Sequence, residues 1–396
     1  ARAATPDEAI IAGADLLVVG RAVTAATDRV AAAAAVAAAG ELGGRVLVLT
    51  IDPARRLADA LGLEALGNVE RRVPDDALRA AGFEPRGELF AAMLDTKASW
   101  DDLVLRHAPD EETAYRVLGN SLYQNITARF VQSHDYIAME RLYDLHTHGR
   151  YDLIVVDTPP TRNAIDFLEA PRRMAEFFGG RLLRWLTVPY RLTGRRGARM
   201  VNVASRPFYQ LADRVLGSQL LQDIAEFFLN FQSMYDGFVA RAESVERLLH
   251  DRRTSFAVVT TLEGAPLREA ELFVQELAKR KLPIGALVLN RVLPPYLTSV
   301  EGQRAATALA ENPSGVAKTL VGLGEPALDD PARTARVLST IAGTYRDYGV
   351  VAARERELRA ELARVPDVLA TVPALPDDVH DLAGLARIGR ALLATP

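Results

Sequence analysis

Residues 151–171 read YDLIVVDTPPTRNAIDFLEAP. Four apolar residues, Leu153 to Val156, run straight into Asp157 and then Thr158-Pro159-Pro160-Thr161. A short continuous apolar run of this kind predicts a strand buried on both faces. A strand that ends in aspartate puts a carboxylate at the mouth of a sheet. A Mg²⁺ ion on nucleotide phosphates needs a hard oxygen ligand there, usually through water. The alternative reading of Asp157 is an N-cap for the following helix. The stiff Thr-Pro-Pro-Thr exit suits a switch segment better than a cap.

Outward from this stretch, similar runs recur at Leu16–Val19, Val46–Ile51, Leu89–Leu94, Phe256–Val259, Ala286–Leu289 and Val368–Val372. Helical patterns at about 24–39, 54–62, 265–281 and 381–394 separate them. Strands alternating with helices predict an α/β fold with a doubly wound, mainly parallel sheet. The alternation lapses at about 97–150 and 170–250, where the periodicity is helical. The expected organisation is an α/β domain of residues 1–96, 151–169 and 252–396, with an α-helical insertion of residues 97–150 and 170–251. Residues 311–333, rich in Pro, Gly and small side chains, read as loop, and Arg354–Arg364 as a charged helix.

The 396 residues carry a formal net charge of -4 and contain no cysteine. Disulfides, thiolate zinc sites, iron–sulfur clusters and a cysteine nucleophile are excluded. No zinc is expected. The slightly acidic total argues against a nucleic-acid partner. The first residues show no charged segment leading into an apolar core, and no run approaches the length of a membrane span. A cytoplasmic location is expected. His146 and His148 are two apart, so on a helix they do not share a face and a metal site is not expected.

Two more strand ends carry polar residues. Asp52 follows Val46–Ile51 and precedes Pro53; it could orient or deprotonate an attacking water, or simply cap a helix. Asn290 follows Ala286–Leu289; it could read a base edge with its donor and acceptor, or serve as a turn asparagine.

Taken together, these stretches resemble the arsenical-pump-driving ATPases and the targeting factors for tail-anchored membrane proteins, members of the ParA- and MinD-like P-loop NTPases. VLVLTIDPARRLADALGL at 46–63 looks like the family's first switch, and the opening 151–171 stretch like its Walker B strand and second switch. PIGALVLNR at 283–291 resembles the adenine-contacting strand end. VLATVPALPDDVHDLAGL at 368–385 resembles the loop that closes over the base. The resemblance implies a P-loop NTPase type of sheet domain and a helical subdomain for a client or partner. It implies that Asp52 activates water, Asp157 serves Mg²⁺ indirectly through water, and Thr161 senses phosphate. It also implies that Asn290, with Arg291 and the Pro373 backbone nearby, meets adenine.

One segment departs from the family pattern. The first strand should open into GKGGVGKTT, but residues 20–30 read GRAVTAATDRV. With Gly20 as the first glycine, Ala26 replaces the phosphate lysine and Thr27 keeps the Mg²⁺ hydroxyl. With ungapped spacing to Thr50, Asp28 replaces that lysine and Arg29 the threonine. No lysine exists before Lys97. The missing glycines matter as well, because phosphate cradles need positive φ and close backbone approach. Arg21 or Arg29 could stand in for lysine, although an arginine does not restore the glycines.

The resulting expectation is a pseudo-ATPase that binds ATP or ADP with Mg²⁺ weakly or not at all. It would act as a regulatory or client-binding subunit, as a homodimer or a heterodimer with a paralogue whose P-loop is intact. The alternatives are an active ATPase with an unorthodox phosphate loop, and a scaffold at the membrane periphery. Residues 172–199 hold eight arginines interleaved with aromatics. Phe177, Phe178, Arg181, Arg184 and Trp185 would face a hydrophobic client or an anionic membrane surface; the alternative is a solvated arginine face over ordinary core.

Overall fold

The computed structural model describes residues 16–21, 28–51, 56–63, 66–129, 131–160, 218–322, 330–362 and 369–393, with residues 165, 168–170, 172–173 and 176 besides. Among them are eight strands in one sheet: β1 (Leu16–Arg21), β2 (Gly44–Thr50), β3 (Arg71–Arg72), β4 (Gly87–Met93), β5 (Leu153–Pro160), β6 (Thr254–Thr260), β7 (Ile284–Val292) and β8 (Leu369–Pro373). Their order is β3-β4-β2-β5-β1-β6-β7-β8. Every neighbouring pair is parallel except β3 with β4. All seven apolar runs form strands of this sheet. The two-residue β3 has no counterpart in the sequence reading, being too short for any periodicity to register.

Alternation along each strand divides the core in two. Leu47, Leu49, Ile154, Val156, Phe256, Val258, Leu287 and Leu289 point to one face. Helices α4 (Thr96–His107), α5 (Glu111–Gly119), α6 (Ser121–Arg129), α7 (Val131–Thr147), α8 (Ser218–Leu249) and α9 (Gly264–Lys279) all contribute to the core there. Its centre is aromatic: Trp100, Tyr136 and Phe238 stand within 5.7 to 6.2 Å of one another by ring centroid. Val46, Val48, Leu153, Val155, Ala257, Val259 and Val288 point to the other face. The cover on this side is α1 (Asp28–Ala37) and α13 (Leu382–Leu393), with the short α2 (Arg56–Ala60) and α3 (Asp75–Ala80) at its border.

The α1–α13 contact is made of small side chains. A Cβ on Gly389 would come within 2.8 Å of the Ala33 carbonyl and 2.9 Å of the Ala37 methyl. The alanine-rich stretch is therefore buried, packed against the sheet and beside α13, which itself meets β8. Gly87 has a similar role where β4 starts, since a Cβ there would fall 2.1 Å from the Gly44 carbonyl.

The loop expected at residues 311–333 is corrected where residues are described, at 311–322 and 330–333; residues 323–329 lie outside the described residues. α10 (Val300–Glu311) is followed at once by α11 (Pro313–Val321), and α12 (Pro331–Leu362) is a 32-residue helix that absorbs the charged helix expected near its end. The prolines mark first helical positions, where the missing N–H costs nothing. Asn312 caps α11 by accepting the Gly315 amide at 2.9 Å, and Asp330 accepts the amides of Ala332 and Arg333 at 2.8 and 3.1 Å. α12 packs on α10 and α11 through Thr334, Ala342, Gly349 and Ala352. An adjoining stripe leaves Val337, Ile341, Tyr348 and Val351 exposed. Their spacing puts them on one stripe of the helix. Among the described residues no helix is long and apolar enough to cross a membrane.

Candidate functional site

Parallel strands carry their carboxyl ends to one edge, and open α/β sheets bind ligands there. β5, β2 and β1 lie side by side, so Thr50, Asp157 and Val19 are register partners across the three central strands. The Ile51 amide donates to the Asp157 carbonyl at 3.2 Å, which holds the two strand ends together. Asp157 is buried, at 2% exposure, and the Thr50 hydroxyl donates to its Oδ2 at 3.4 Å. Thr158, next along β5, is also buried. A carboxylate beside a hydroxyl offers hard oxygen donors, which suit Mg²⁺ rather than a soft metal. Among the described residues no group of three or more His, Asp or Glu side chains gathers as a metal cage. A cation at this edge would therefore lean on a ligand's phosphates and on water for its remaining oxygens.

Gly20 and Arg21 end β1 beside Val258 and Val259 of β6. α1 begins at Asp28. Thr27 and the intervening residues 22–27 lie outside the described residues, as do Asp52 and Thr161. The same holds for Phe177, Phe178, Arg181, Arg184 and Trp185.

Two strands from β1, the edge continues on β7 and β8. Asn290 is buried, and its side-chain oxygen accepts the Arg291 amide at 2.9 Å. Arg291 takes φ of 60° with its side chain exposed, a left-handed conformation that few non-glycine residues adopt. The β7–β8 register slips between Leu289 and Val292, after which Val292 pairs with Pro373. Asn290, Arg291 and Pro373 thus share one end of the sheet, as the sequence placed them. The next amide, that of Leu293, donates to Glu355 Oε2 of α12 at 2.9 Å. Burial and the nearby Glu263 carboxylate push the Glu355 carboxyl above its usual range, against the opposing pull of that amide. Glu355 had no signal in the sequence, because the link joins residues 62 apart.

A second polar cluster sits away from the edge, around a cavity of about 220 Å³ between α4 and α7 with Arg241 of α8. Glu140 of α7 is buried between the Tyr136 hydroxyl, which donates to it at 2.8 Å, and the Arg241 guanidinium. Burial raises the Glu140 carboxyl above its usual range despite Arg241. His107 is held below its usual value, first by burial and then by Arg241 and Arg106, with Asp144 opposing. Arg106 and Arg141 are each already paired with Asp144, at 3.0 and 3.1 Å. Of these, the Arg106–Asp144 and Arg241–Glu140 pairs join helices, and the others lie within α7.

A family model described as an anion-transporting ATPase matches residues 27–306, well over half of the chain. The chain belongs to that family. Its P-loop NTPase class agrees with the mainly parallel sheet. Several curated relatives are similar to parts of it. The ATPase BagA of Mycobacterium tuberculosis is 39% identical over 67 residues, which cover 17% of this chain and 20% of that protein. The chain therefore spans about a fifth of the length of that relative. The ATPase ASNA1 homolog 1 of Paramecium tetraurelia is 23% identical over 261 residues, 64% of this chain and 68% of the relative. A putative arsenical pump-driving ATPase of Aquifex aeolicus is 24% identical over 260 residues, 64% of this chain and 72% of the relative.

Proposed function

We propose that this family member is a pseudo-ATPase: it binds adenine nucleotide at the carboxyl edge of the sheet and has lost efficient hydrolysis. The observation that carries the reading is a contrast within one edge. The buried Asp157–Thr50 pair and Asn290 are in place. The segment that should cradle the phosphates has one glycine and no lysine. A lysine or comparable cation in such a site contributes about 3–4 kcal/mol to stabilising developing charge. In the ungapped register an aspartate, Asp28, stands where that lysine belongs, and it repels a polyphosphate.

In this reading Asp157, through water, and the Thr27 hydroxyl would hold a Mg²⁺ ion, which would supply charge neutralisation to bound phosphates. Thr161 would follow the terminal phosphate, and Asp52 would activate water only if the chain retains hydrolysis. Asn290, Arg291 and the Pro373 backbone hold the base. The helical segments 97–150 and 170–251 take a hydrophobic client or partner, with Phe177, Phe178, Arg181, Arg184 and Trp185 at that surface. The chain works as a homodimer, or as a heterodimer with a paralogue whose phosphate loop is intact. Without cysteine, protomers must meet by side-chain packing. The exposed stripe of Val337, Ile341, Tyr348 and Val351 on α12 is available for it.

Calorimetry with Mg-ATP, followed by phosphate release with and without Asp52→Asn, tests the reading. Binding without turnover is expected. Turnover that Asp52→Asn abolishes would overturn it. That result would favour the second reading, an active ATPase in which Arg21 or Arg29 replaces lysine. The relatives carrying the name ATPase over 64% of this chain support that alternative.

A further inference from the structure

Five consecutive residues, 289–293, tie three parts of the molecule together. Leu289 is the last regular partner of β8, pairing with Thr371. Asn290 turns its side-chain oxygen back onto the Arg291 amide, and Arg291 adopts its left-handed φ of 60°. Val292 resumes contact with β8 through Pro373, and its carbonyl accepts the Ala374 amide at 2.9 Å. Leu293 then gives its amide to Glu355 at 2.9 Å. A left-handed non-glycine residue persists only where its surroundings hold it. Here the hold on one side is the β8 pairing and on the other the Glu355 carboxylate.

Glu355 is itself firmly placed. Leu358 and Leu362, one and two turns on, pack against the aromatic-side core. One and a half turns back, α12 comes so close to α10 that a Cβ on Gly349 would meet Gln303 Nε2 at 2.4 Å. The carboxylate therefore connects α12 to the exit of β7.

We propose that Glu355 is a positioning residue for the base end of the nucleotide site: by fixing the Leu293 amide it sets the Asn290–Arg291 turn and the seat of Pro373, and so the preference for adenine. This rests on the nucleotide-binding reading above. Glu355 touches no ligand; it acts through the backbone.

The test compares ADP with CDP by calorimetry in the full chain, for the native protein, Glu355→Ala and Glu355→Gln. Urea midpoints are measured alongside. The native protein is expected to prefer ADP. Glu355→Ala should weaken ADP binding about tenfold and leave CDP unchanged, which removes most of the preference. Glu355→Gln keeps an acceptor oxygen for the Leu293 amide and should retain ADP affinity to within about twofold. An unchanged ADP preference in Glu355→Ala overturns this inference alone. Equal losses for ADP and CDP, or a native protein indifferent to the base, also overturn it. A native protein that binds neither nucleotide removes the nucleotide reading and this inference together.

Discussion

The two faces of the sheet are covered by layers of opposite grain. On one, alanine helix α1 packs on the strands and against α13, with Gly389 seated against Ala33 and Ala37. On the other, Trp100, Tyr136 and Phe238 fill the core with large rings, and buried Glu140 is paired there with half-buried Arg241. Small side chains let elements approach closely and leave no slack for added volume. Large rings contribute much burial each and leave large holes when truncated. The first layer is fixed by what cannot be added, the second by what cannot be removed.

The largest effect that would sharpen this contrast is expected from Phe238→Ala. It should lose about 4 kcal/mol in urea unfolding, because it empties the centre of the aromatic cluster. A loss under about 1 kcal/mol would show that the ring layer is not the anchor. Next, Gly389→Leu should cost about 3 kcal/mol by overpacking the α1–α13 contact. A tolerated leucine at that position would break the contrast from the other side. Asp95→Ala should cost about 1 kcal/mol, since it removes the cap that accepts the Ala98 amide at 2.9 Å at the start of α4. Gly343→Ala, on α12 where a Cβ would meet nothing within 4 Å, should instead gain about 0.5–1 kcal/mol. It serves as a control for glycine replacement in a helix.

The smallest effect concerns pH, and it belongs to the aromatic layer alone. His107 resists protonation in the folded state. Its contribution is fully present above the unfolded value near 6.5 and is lost as pH falls through the lower folded value. Glu140 has the opposite sign: its raised folded value gives a contribution present below the unfolded 4.5 and lost as pH rises through the folded value. Urea midpoints followed from pH 7 downward should therefore decline less in His107→Asn than in the native chain. Identical pH profiles would remove His107 from the account.

The sheet was largely legible because its strands are continuous apolar runs, and such runs signal double-sided burial without any knowledge of their neighbours. β3 was not, since Arg71 and Arg72 offer neither period nor apolarity. α11 was misread because Pro313 and Gly322 look like loop residues until their positions at the helix ends are known. The site divides in the same way. Asp157, Asn290, Arg291 and Pro373 could be located from strand ends alone. The Thr50 hydroxyl beside Asp157 and the Glu355 carboxylate on Leu293 could not, because register and a 62-residue return bring them there. The phosphate-loop segment 22–27, with Asp52 and Thr161, is outside the described residues, so its reading rests on sequence.

The seat of Gly389 against Ala33 also has a consequence in time. In chain order α1 precedes α13, the helix that packs against its alanine face. Until α13 emerges, that alanine surface lacks this native contact. A nascent chain stalled before residue 382 should therefore attract holdase chaperones until α13 packs against it.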